Sequence, residues 1–259
     1  RPWIGSIATR TLMPTLRLLL PFLINCSMSD NTLLITGTDT DAGKTVLMTA
    51  LIAYWQTYCH DRTLGVMKPI QSGPGDREVY TRLFDLDQSP DEITPLYFDA
   101  PLAPPLAAER EGRDIELGRV WSQLRQLQQQ RDRVFVEALG GLGSPITWEL
   151  TVADLARDWR LDTVLVVPVR LGAISQAVAN VALARQERVR LKGIVLNCTQ
   201  PTSNAEIANW APADLIQSLT QIPVWGCLPY VENASDRPQL AAAARQLHLE
   251  TAIPMAYCC

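Results

Sequence analysis

Thr32-Leu-Leu-Ile-Thr-Gly37-Thr-Asp-Thr-Asp-Ala-Gly43-Lys44-Thr45 joins a short apolar run to a glycine-containing loop, and a helical pattern follows at residues 46–55. A strand, a loop ending in Gly-Lys-Thr and a helix form the layout of a phosphate-binding loop. The backbone N–H groups of such a loop, together with the N-terminus of its helix, favour bound phosphate. We therefore expect Lys44 to reach the outer phosphates of a nucleotide and the Thr45 hydroxyl to ligate Mg²⁺.

The glycine spacing of this loop differs from the general motif, in which four residues separate the first glycine from the Gly-Lys pair. Thr38 occupies the position of that first glycine, and Gly37 lies one residue earlier. A Gly-Lys-Thr turn that merely begins an ordinary helix is the alternative interpretation. The loop alone favours nucleotide binding, and the rest of the chain has to decide.

The composition is that of a foldable globular chain, with 259 residues, of which 47% are hydrophobic and 19% charged. The formal net charge is −4 and no long basic run is present, which argues against sequence-independent nucleic-acid binding. His60 and His248 have no ligand-like neighbours, and none of the six cysteines forms a pair with zinc-ligand spacing. We expect a cytoplasmic protein, in which cysteines are reduced by default.

The first 27 residues differ from the rest of the chain. Their apolar run is interrupted by Arg17 and Pro21, lacks a small-residue cleavage site and is too short to span a bilayer. A signal peptide is one interpretation, but we favour an upstream extension with Met28 as the natural start, and we expect no membrane association. The predicted division of the chain is a leader, a single α/β domain and a C-terminal tail, at residues 1–27, 28–250 and 251–259.

Short apolar runs alternate with helical patterns along the chain, and they lie at residues 32–36, 63–67, 132–137, 163–169, 192–197 and 223–228. This alternation predicts a parallel, doubly wound sheet with helices on both faces. Ligands of such sheets bind beyond the carboxyl ends of the strands. The segments that follow the strands should therefore converge, and they are residues 37–45, 68–73, 137–143, 170–175 and Asn197.

Helices are predicted between these runs, at residues 46–55, 76–84, 114–130, 151–159, 172–185, 205–220 and 240–247. Asp76 stands at the predicted N-cap of the second of them. Residues 95–113 are rich in proline, alanine and charge, and we interpret them as a long surface connection, a kind of loop that is often functional.

The motifs in these segments resemble those of the dethiobiotin synthetase family, and they are Thr36-Gly-Thr-Asp-Thr-Asp-Ala-Gly-Lys-Thr45, Lys68-Pro-Ile-Gln-Ser-Gly73, Val136-Glu-Ala-Leu-Gly-Gly141, Arg170-Leu-Gly-Ala-Ile-Ser175, Leu196-Asn197 and Leu228-Pro-Tyr-Val-Glu-Asn233. The resemblance covers residues 31–249, and the family's own loop has the spacing found here. It implies a P-loop NTPase-like fold and an ATP- and Mg²⁺-dependent ligase of biotin biosynthesis. Such an enzyme joins 7,8-diaminononanoate to CO2 as a carbamate, phosphorylates the carbamate and closes the ureido ring of dethiobiotin.

The resemblance also implies a role for each motif. Lys44 and Lys68 would be catalytic, because phosphoryl transfer depends on positioning and on stabilisation of charge. The implied Mg²⁺ ligands are the hard oxygens of Thr45, Asp76 and Glu137. The implied nucleotide contacts are Asp41, Ala42, Gly43, Lys44, Thr45, Val46, Asp76, Glu137, Ala138, Leu139, Gly140, Asn197, Cys198, Pro229, Tyr230 and Val231. The implied substrate contacts are Thr40, Ser72, Gly172, Ala173, Ile174 and Ser175.

Several of these assignments have a simpler structural alternative. Asp76 could serve only as a helix cap, whereas a carboxylate such as Glu137 at the end of a buried strand must be paired or ligated. Residues 172–175 could be a plain helix start, although in the family this segment serves the active site of the partner subunit in a homodimer. Asn197 could belong to a strand-end turn, and residues 229–231 could form a cis-like proline bend.

Four residues depart from the family pattern, and two of them lie in Ala138-Leu139-Gly140-Gly141, where the family usually has Gly-Ala-Gly-Gly. Ala138 stands where the family has the first glycine of Gly-Ala-Gly-Gly, and its Cβ either crowds the phosphates or only shifts the backbone. Arg170 stands where lysine is common and Asp41 where glutamate is common, and both keep the charge.

Other classes of protein share the predicted fold. ATPases of the partitioning type carry a second lysine early in the loop, where this chain has Asp39, and no amphipathic membrane helix follows Leu247. Amidotransferase-type synthetases of the cobyrinic acid group need a glutaminase domain, for which this chain has no room. A non-catalytic nucleotide-binding module remains as a further alternative.

Overall fold

The computed structural model describes residues 31–251, in which the chain forms eight strands: β1 (Thr32–Gly37), β2 (Leu64–Met67), β3 (Ile70–Ser72), β4 (Leu96–Phe98), β5 (Arg133–Gly141), β6 (Asp162–Pro168), β7 (Arg190–Asn197) and β8 (Val224–Leu228). Six of them form a parallel sheet in the order β2-β5-β1-β6-β7-β8. All six strands that the sequence predicts are present, and β1 lies inside the sheet. The carboxyl ends of these parallel strands therefore share one edge.

The helices between the strands are α1 (Lys44–Tyr58), α2 (Asp76–Leu83), α3 (Pro90–Ile93), α4 (Pro104–Glu111), α5 (Leu117–Gln130), α6 (Val152–Asp158), α7 (Ala173–Gln186), α8 (Asn204–Trp210), α9 (Ala213–Thr220) and α10 (Arg237–Ala244), followed by a 3₁₀ turn at Leu249–Thr251. No helix between residues 31 and 251 is long and apolar enough to cross a bilayer.

Alternation along the buried strands distributes the core over both faces of the sheet. In β1, Leu33 and Ile35 pack with α1 and α10, whereas Leu34 joins the cluster formed with α5 and α6. A third cluster fills the space between β6, β7 and the helices α7 and α9. Each fully buried leucine or isoleucine contributes about 1.5–3 kcal/mol relative to exposure. The predicted doubly wound α/β class is confirmed.

The interval 95–113 is not the surface connection that its composition suggests. β4 lies in it and pairs in parallel with β3 to form a second, two-stranded sheet, and α4 follows. Phe98 is fully buried and Leu96 nearly so. Strands of three residues are too short to give a periodic signal, and long-range packing stabilises them instead.

Other predicted boundaries are also corrected. Gly75, not Asp76, is the N-cap of α2, so Asp76 is the first residue of the helix. The predicted helix at residues 205–220 is two helices, because the residue before Pro212 is driven out of the helical region and Ala211 has φ −140°. The last helix begins at Arg237 and ends at Ala244, earlier than the predicted 240–247. The leader and almost all of the tail lie outside the described residues.

Candidate active site

The loop between β1 and α1 is closely packed, which explains both of its glycines. Gly43 has φ 88°, a left-handed conformation, and a Cβ there would lie 1.9 Å from Asn197 Nδ2. A Cβ on Gly37 would lie 2.8 Å from the Cβ of Ala42. The unusual position of the first glycine thus follows from the way the loop folds back on the end of β1.

Lys44 spans this loop. Its Nζ donates to the carbonyl oxygens of Asp39, at 2.9 Å, and Thr40, at 2.8 Å. Only 4% of the residue is exposed, and burial lowers the pKa of its ammonium group, with Glu137 acting in the opposite direction. The Asp39 carboxylate caps the loop by accepting from the Thr40 N–H at 2.7 Å and from Arg170 at 3.3 Å.

A second cation, Lys68, lies against two carboxylates at the same edge of the sheet. Its Nζ is 2.5 Å from Asp76 Oδ2 and 3.1 Å from Glu137 Oε1, and it donates to the Ala138 carbonyl at 3.2 Å. The Thr45 hydroxyl is 2.8 Å from Asp76 Oδ1 and 3.0 Å from Glu137 Oε1, and it can donate to one of them at a time. The four side chains form one network that joins β5, α1, α2 and the end of β2.

Burial and neighbouring charges shift the pKa values of Lys68, Asp76 and Glu137 in different directions. Burial works to lower the pKa of Lys68, but Glu137 and Asp76 outweigh it and raise that pKa above its usual value. Burial also opposes ionisation of Asp76, yet attraction to Lys68 leaves the pKa of Asp76 lowered. Burial raises the pKa of Glu137 to about 7, although Lys68 acts against the rise. Lys68 and Asp76 therefore form an ion pair. A further cation bound beside Glu137 would lower the pKa of that carboxyl group and favour its ionised form.

The oxygen set of this network suits Mg²⁺. Glu137 Oε2 is buried without a hydrogen-bond partner, while Thr45 and Asp76 add a hydroxyl and a second carboxylate. Residues 31–251 contain no cluster of three or more His, Cys, Asp or Glu side chains that could hold a metal on its own. Mg²⁺ commonly combines one or two carboxylates with water and substrate phosphates, so the residues present fit this ion.

These residues face a cavity of about 720 Å³. Its walls include many of the predicted site residues: Thr40, Asp41, Lys44, Thr45, Lys68, Ser72, Asp76, Glu137, Leu139 and Gly140. The Ser72 hydroxyl oxygen is buried without a hydrogen-bond partner. The volume is within the range of small-molecule sites, roughly 300–1,000 Å³.

The cavity also has walls that the sequence prediction missed. They are formed by Gln71, by residues 101–104 before and at the start of α4, and by Ser144 and Pro145 after β5. Residues 95–113 were predicted to be a long surface connection, a kind of loop that is often functional, but no local pattern predicted that residues 101–104 line the same cavity as the phosphate-binding loop. Gln71 lies in the Lys68-Pro-Ile-Gln-Ser-Gly73 motif, but only Lys68 and Ser72 of this motif were predicted to be site residues.

Asn197 lies behind the loop and not on the cavity wall. Only 1% of it is exposed, and its Nδ2 donates to the Ala42 carbonyl at 3.0 Å, while its Oδ1 has no partner. Cys198, next in the chain, is a buried free thiol with its Sγ 3.6 Å from that of Cys227. Residues 229–231 follow β8 nearby, with Tyr230 exposed. No peptide bond from residue 31 to 251 is cis, so a cis-like bend at Pro229 is ruled out.

Residues 172–175 begin α7 outside the cavity of their own chain. Gly172 is the left-handed N-cap, with φ 94°, and the preceding Leu171 is 86% exposed. Ala42, Gly43 and Val46 belong to the loop and α1 without lining the cavity.

Ala138 packs in the apolar cluster on the α5 and α6 side of the sheet and is 5% exposed. It is not part of the cavity wall. Its methyl group points away from the loop face where Glu137 lies, in keeping with alternation along β5. This position speaks against crowding of the phosphates.

A phosphate-binding loop at the carboxyl edge of a parallel sheet, with a Thr and two carboxylates suited to Mg²⁺, defines a P-loop nucleotide-binding α/β protein. Residues 31–238 match a family model described as an AAA domain. The ATP-dependent dethiobiotin synthetase of Gloeothece citriformis (strain PCC 7424) is 57% identical over 86% of this chain and 99% of its own length. That of Crocosphaera subtropica (strain ATCC 51142 / BH68) is 56% identical over 85% of this chain and 98% of its own. This chain therefore belongs to the dethiobiotin synthetase family.

Among solved structures, a ParA family ATPase from Chlorobium tepidum TLS aligns with a TM-score of 0.49. It is 14% identical, and the alignment covers 88% of this chain and 95% of that one.

Proposed function

We propose that this protein is an ATP- and Mg²⁺-dependent ligase that converts 7,8-diaminononanoate and CO2 to dethiobiotin. The observation that carries the proposal is Lys68, a second buried lysine that faces the same cavity as Lys44. A nucleotide-binding module or an ATPase switch needs only the loop lysine to hold phosphate. A second fixed cation beside the phosphate site suits a reaction in which a carbamate oxygen and the transferring phosphoryl group meet.

The positions of the residues support a role for each of them. Lys44 and the N–H groups of residues 41–46 hold the phosphates of ATP, because they lie at the positive end of α1. Lys68 faces the carbamate and stabilises charge on the transferring phosphoryl oxygens. Mg²⁺ held by Thr45, Asp76 and Glu137 would neutralise phosphate charge.

The opposite side of the cavity would bind the diamine. The Ser72 hydroxyl has an unused hydrogen-bonding capacity, and Thr40 lies across from it on the loop. Ile70, Leu102 and Leu139 add apolar surface to the wall, which suits the hydrocarbon chain of the substrate. We propose that the nucleoside extends past the loop toward Asn197, Cys198 and residues 229–231, where Asn197 Oδ1 is free to accept a hydrogen bond.

We further propose a cytoplasmic homodimer in which residues 172–175 of each subunit complete the cavity of the other. The helix they begin has no charged residue from Ala173 to Ala184, and Val178 is exposed on it. The helix start, with its free N–H groups, would hold the carboxylate of the substrate.

The dimer makes a testable prediction. Val178→Asp places a charge on the proposed interface, so it should convert the dimer to a monomer and raise the KM for the diamine. Leu215→Asp is the matched control, because Leu215 is also an exposed apolar residue and lies on α9. Light scattering measures the mass, and a wild-type monomer with full turnover would contradict the proposal. Cell fractionation tests the proposed cytoplasmic location.

The activity itself is tested with the full chain, supplied with ATP, Mg²⁺, bicarbonate and diaminononanoate. We expect dethiobiotin and an equal amount of ADP, each dependent on the diamine. ADP formed without the diamine would favour an ATPase switch, and the absence of both products would overturn the proposal. Equal turnover of a chain that starts at Met28 would support the division of the chain into a leader and a single domain.

A further inference from the structure

The position of Asp76 depends on how α2 begins. Asp76 is the first residue of that helix, and the N-cap is Gly75, which has no side chain to satisfy the free N–H groups of the first turn. A Cβ on Gly75 would meet nothing within 4 Å, so no neighbouring atom packs against that side of the residue. Something else must fix the helix start against Lys68 and Thr45.

Gln71, from the neighbouring strand β3, supplies the missing cap. Its Oε1 accepts a hydrogen bond from the backbone N–H of Arg77 at 2.9 Å. Its Nε2 donates to Glu78 Oε2 at 2.9 Å and to the Gly73 carbonyl at 3.1 Å. Gln71 itself is buried, with 5% of the residue exposed.

Glu78, within α2, makes further hydrogen bonds to the start of the helix. Its Oε2 also accepts from the Gly75 N–H at 2.8 Å, and its Oε1 accepts from Arg77 Nε at 3.1 Å. The Arg77 guanidinium lies 4.3 Å from the ring centre of Tyr97, which pairs with Gln71 in the two-stranded sheet. The small sheet is therefore bonded to Arg77 and Glu78, which follow Asp76, and to Gly73, which precedes the helix.

We propose that Gln71 and Glu78 are positioning residues that hold Asp76 as a ligand of the nucleotide-bound Mg²⁺. The inference rests on the proposed function only for the identity of the metal–nucleotide complex. Gln71 lies in β3, which begins two residues after Lys68 and ends at Ser72, so the bonds of Gln71 hold α2 in place relative to both residues. Gln71 and Glu78 would not themselves be metal ligands, because both act through the backbone N–H groups of residues 75–77.

An ordinary helix cap would show the same hydrogen bonds but would affect only stability. The chain offers a matched control, because Glu206 in α8 accepts from the Ser203 N–H at 2.8 Å in the same way. That cap lies on an exposed helix outside the cavity. Comparing the two caps separates loss of a helix cap from loss of a positioned ligand.

The test measures Mg²⁺ binding to the protein–ADP complex by calorimetry, together with Mg²⁺-free ADP affinity and the melting temperature. Removing a partner that orients a metal ligand weakens metal binding by about 10-fold or more. We expect that loss for Gln71→Ala and Glu78→Gln, with Mg²⁺-free ADP affinity unchanged. Glu206→Gln should lower the melting temperature without changing Mg²⁺ affinity.

Gln71→Glu keeps an acceptor for the Arg77 N–H but sets a carboxylate against Glu78 Oε2 and the Gly73 carbonyl, so it should lose Mg²⁺ affinity as Gln71→Ala does. Unchanged Mg²⁺ affinity in both Gln71→Ala and Glu78→Gln would overturn the inference. A wild-type chain that binds Mg²⁺–ADP but makes no dethiobiotin would overturn the proposed function and leave the positioning role standing.

Discussion

Replacement of Lys68 with alanine should lower kcat by about 10²–10³-fold, the loss typical of removing one preorganised donor to developing charge. Lys68 is almost fully buried and its pKa is raised, so it is charged throughout the neutral range. No water could replace it at the same place without reorganisation. Single-turnover ADP formation and dethiobiotin yield measure the effect.

The variant should still bind ATP, because Lys44 and the loop amides do not depend on Lys68. It leaves Asp76 and Glu137 without their shared cation, so we expect a stronger dependence on Mg²⁺, which would then be their main counter-charge. Lys192→Ala is the matched control, since Lys192 is a half-exposed lysine paired with Asp162 away from the cavity. A kcat near that of the wild type would remove Lys68 from the mechanism.

The sequence was sufficient to predict the convergence of Lys44, Lys68 and Glu137. Each follows or closes a run of apolar residues, and the carboxyl ends of parallel strands meet at one edge of a sheet. The order of the strands was not needed for this argument. What was needed was the alternation of strand and helix, which is a local and repeated signal.

The parts that the sequence did not predict depend on contacts between distant segments. β3 and β4 have three residues each and exist because they pair with each other and cover a shared apolar cluster. The role of Gln71 could not be read from its own neighbours, since its partners belong to the next helix. Ala138 was expected either to crowd the phosphates or only to shift the backbone, and the choice depends on the pleat of β5, which continues to Gly141 beyond the predicted strand end.

The hydrogen bond of Asn197 also depends on a contact between distant segments. Its place at the end of β7 was predicted, but its bond to the Ala42 carbonyl arises only because β7 and the loop lie at the same edge of the sheet. A family role in nucleotide binding and a structural role behind the loop are compatible, since one side-chain atom serves the loop and the other is free. The loop and Asn197 therefore have to be perturbed together to separate these roles.

Gly43→Ala should weaken ADP binding by about 100-fold, which corresponds to about 3 kcal/mol. The new Cβ would lie 1.9 Å from Asn197 Nδ2, and the residue would keep a left-handed φ of 88°. Either Asn197 gives up its bond to the Ala42 carbonyl or the loop moves, and both shift the N–H groups that hold phosphate. Calorimetric titration with ADP measures the loss.

Two further variants divide this loss into its causes. Gly112→Ala, at φ 62° with nothing within 4 Å of the new Cβ, carries only backbone strain of about 1 kcal/mol and should leave ADP affinity unchanged. Adding Asn197→Ala to Gly43→Ala removes the atom that the new methyl group meets. The loss of ADP affinity in the double variant should therefore be smaller than the sum of the losses in the two single variants. If the losses are simply additive, contact with Asn197 is not what requires a glycine at position 43, and the left-handed backbone alone accounts for it.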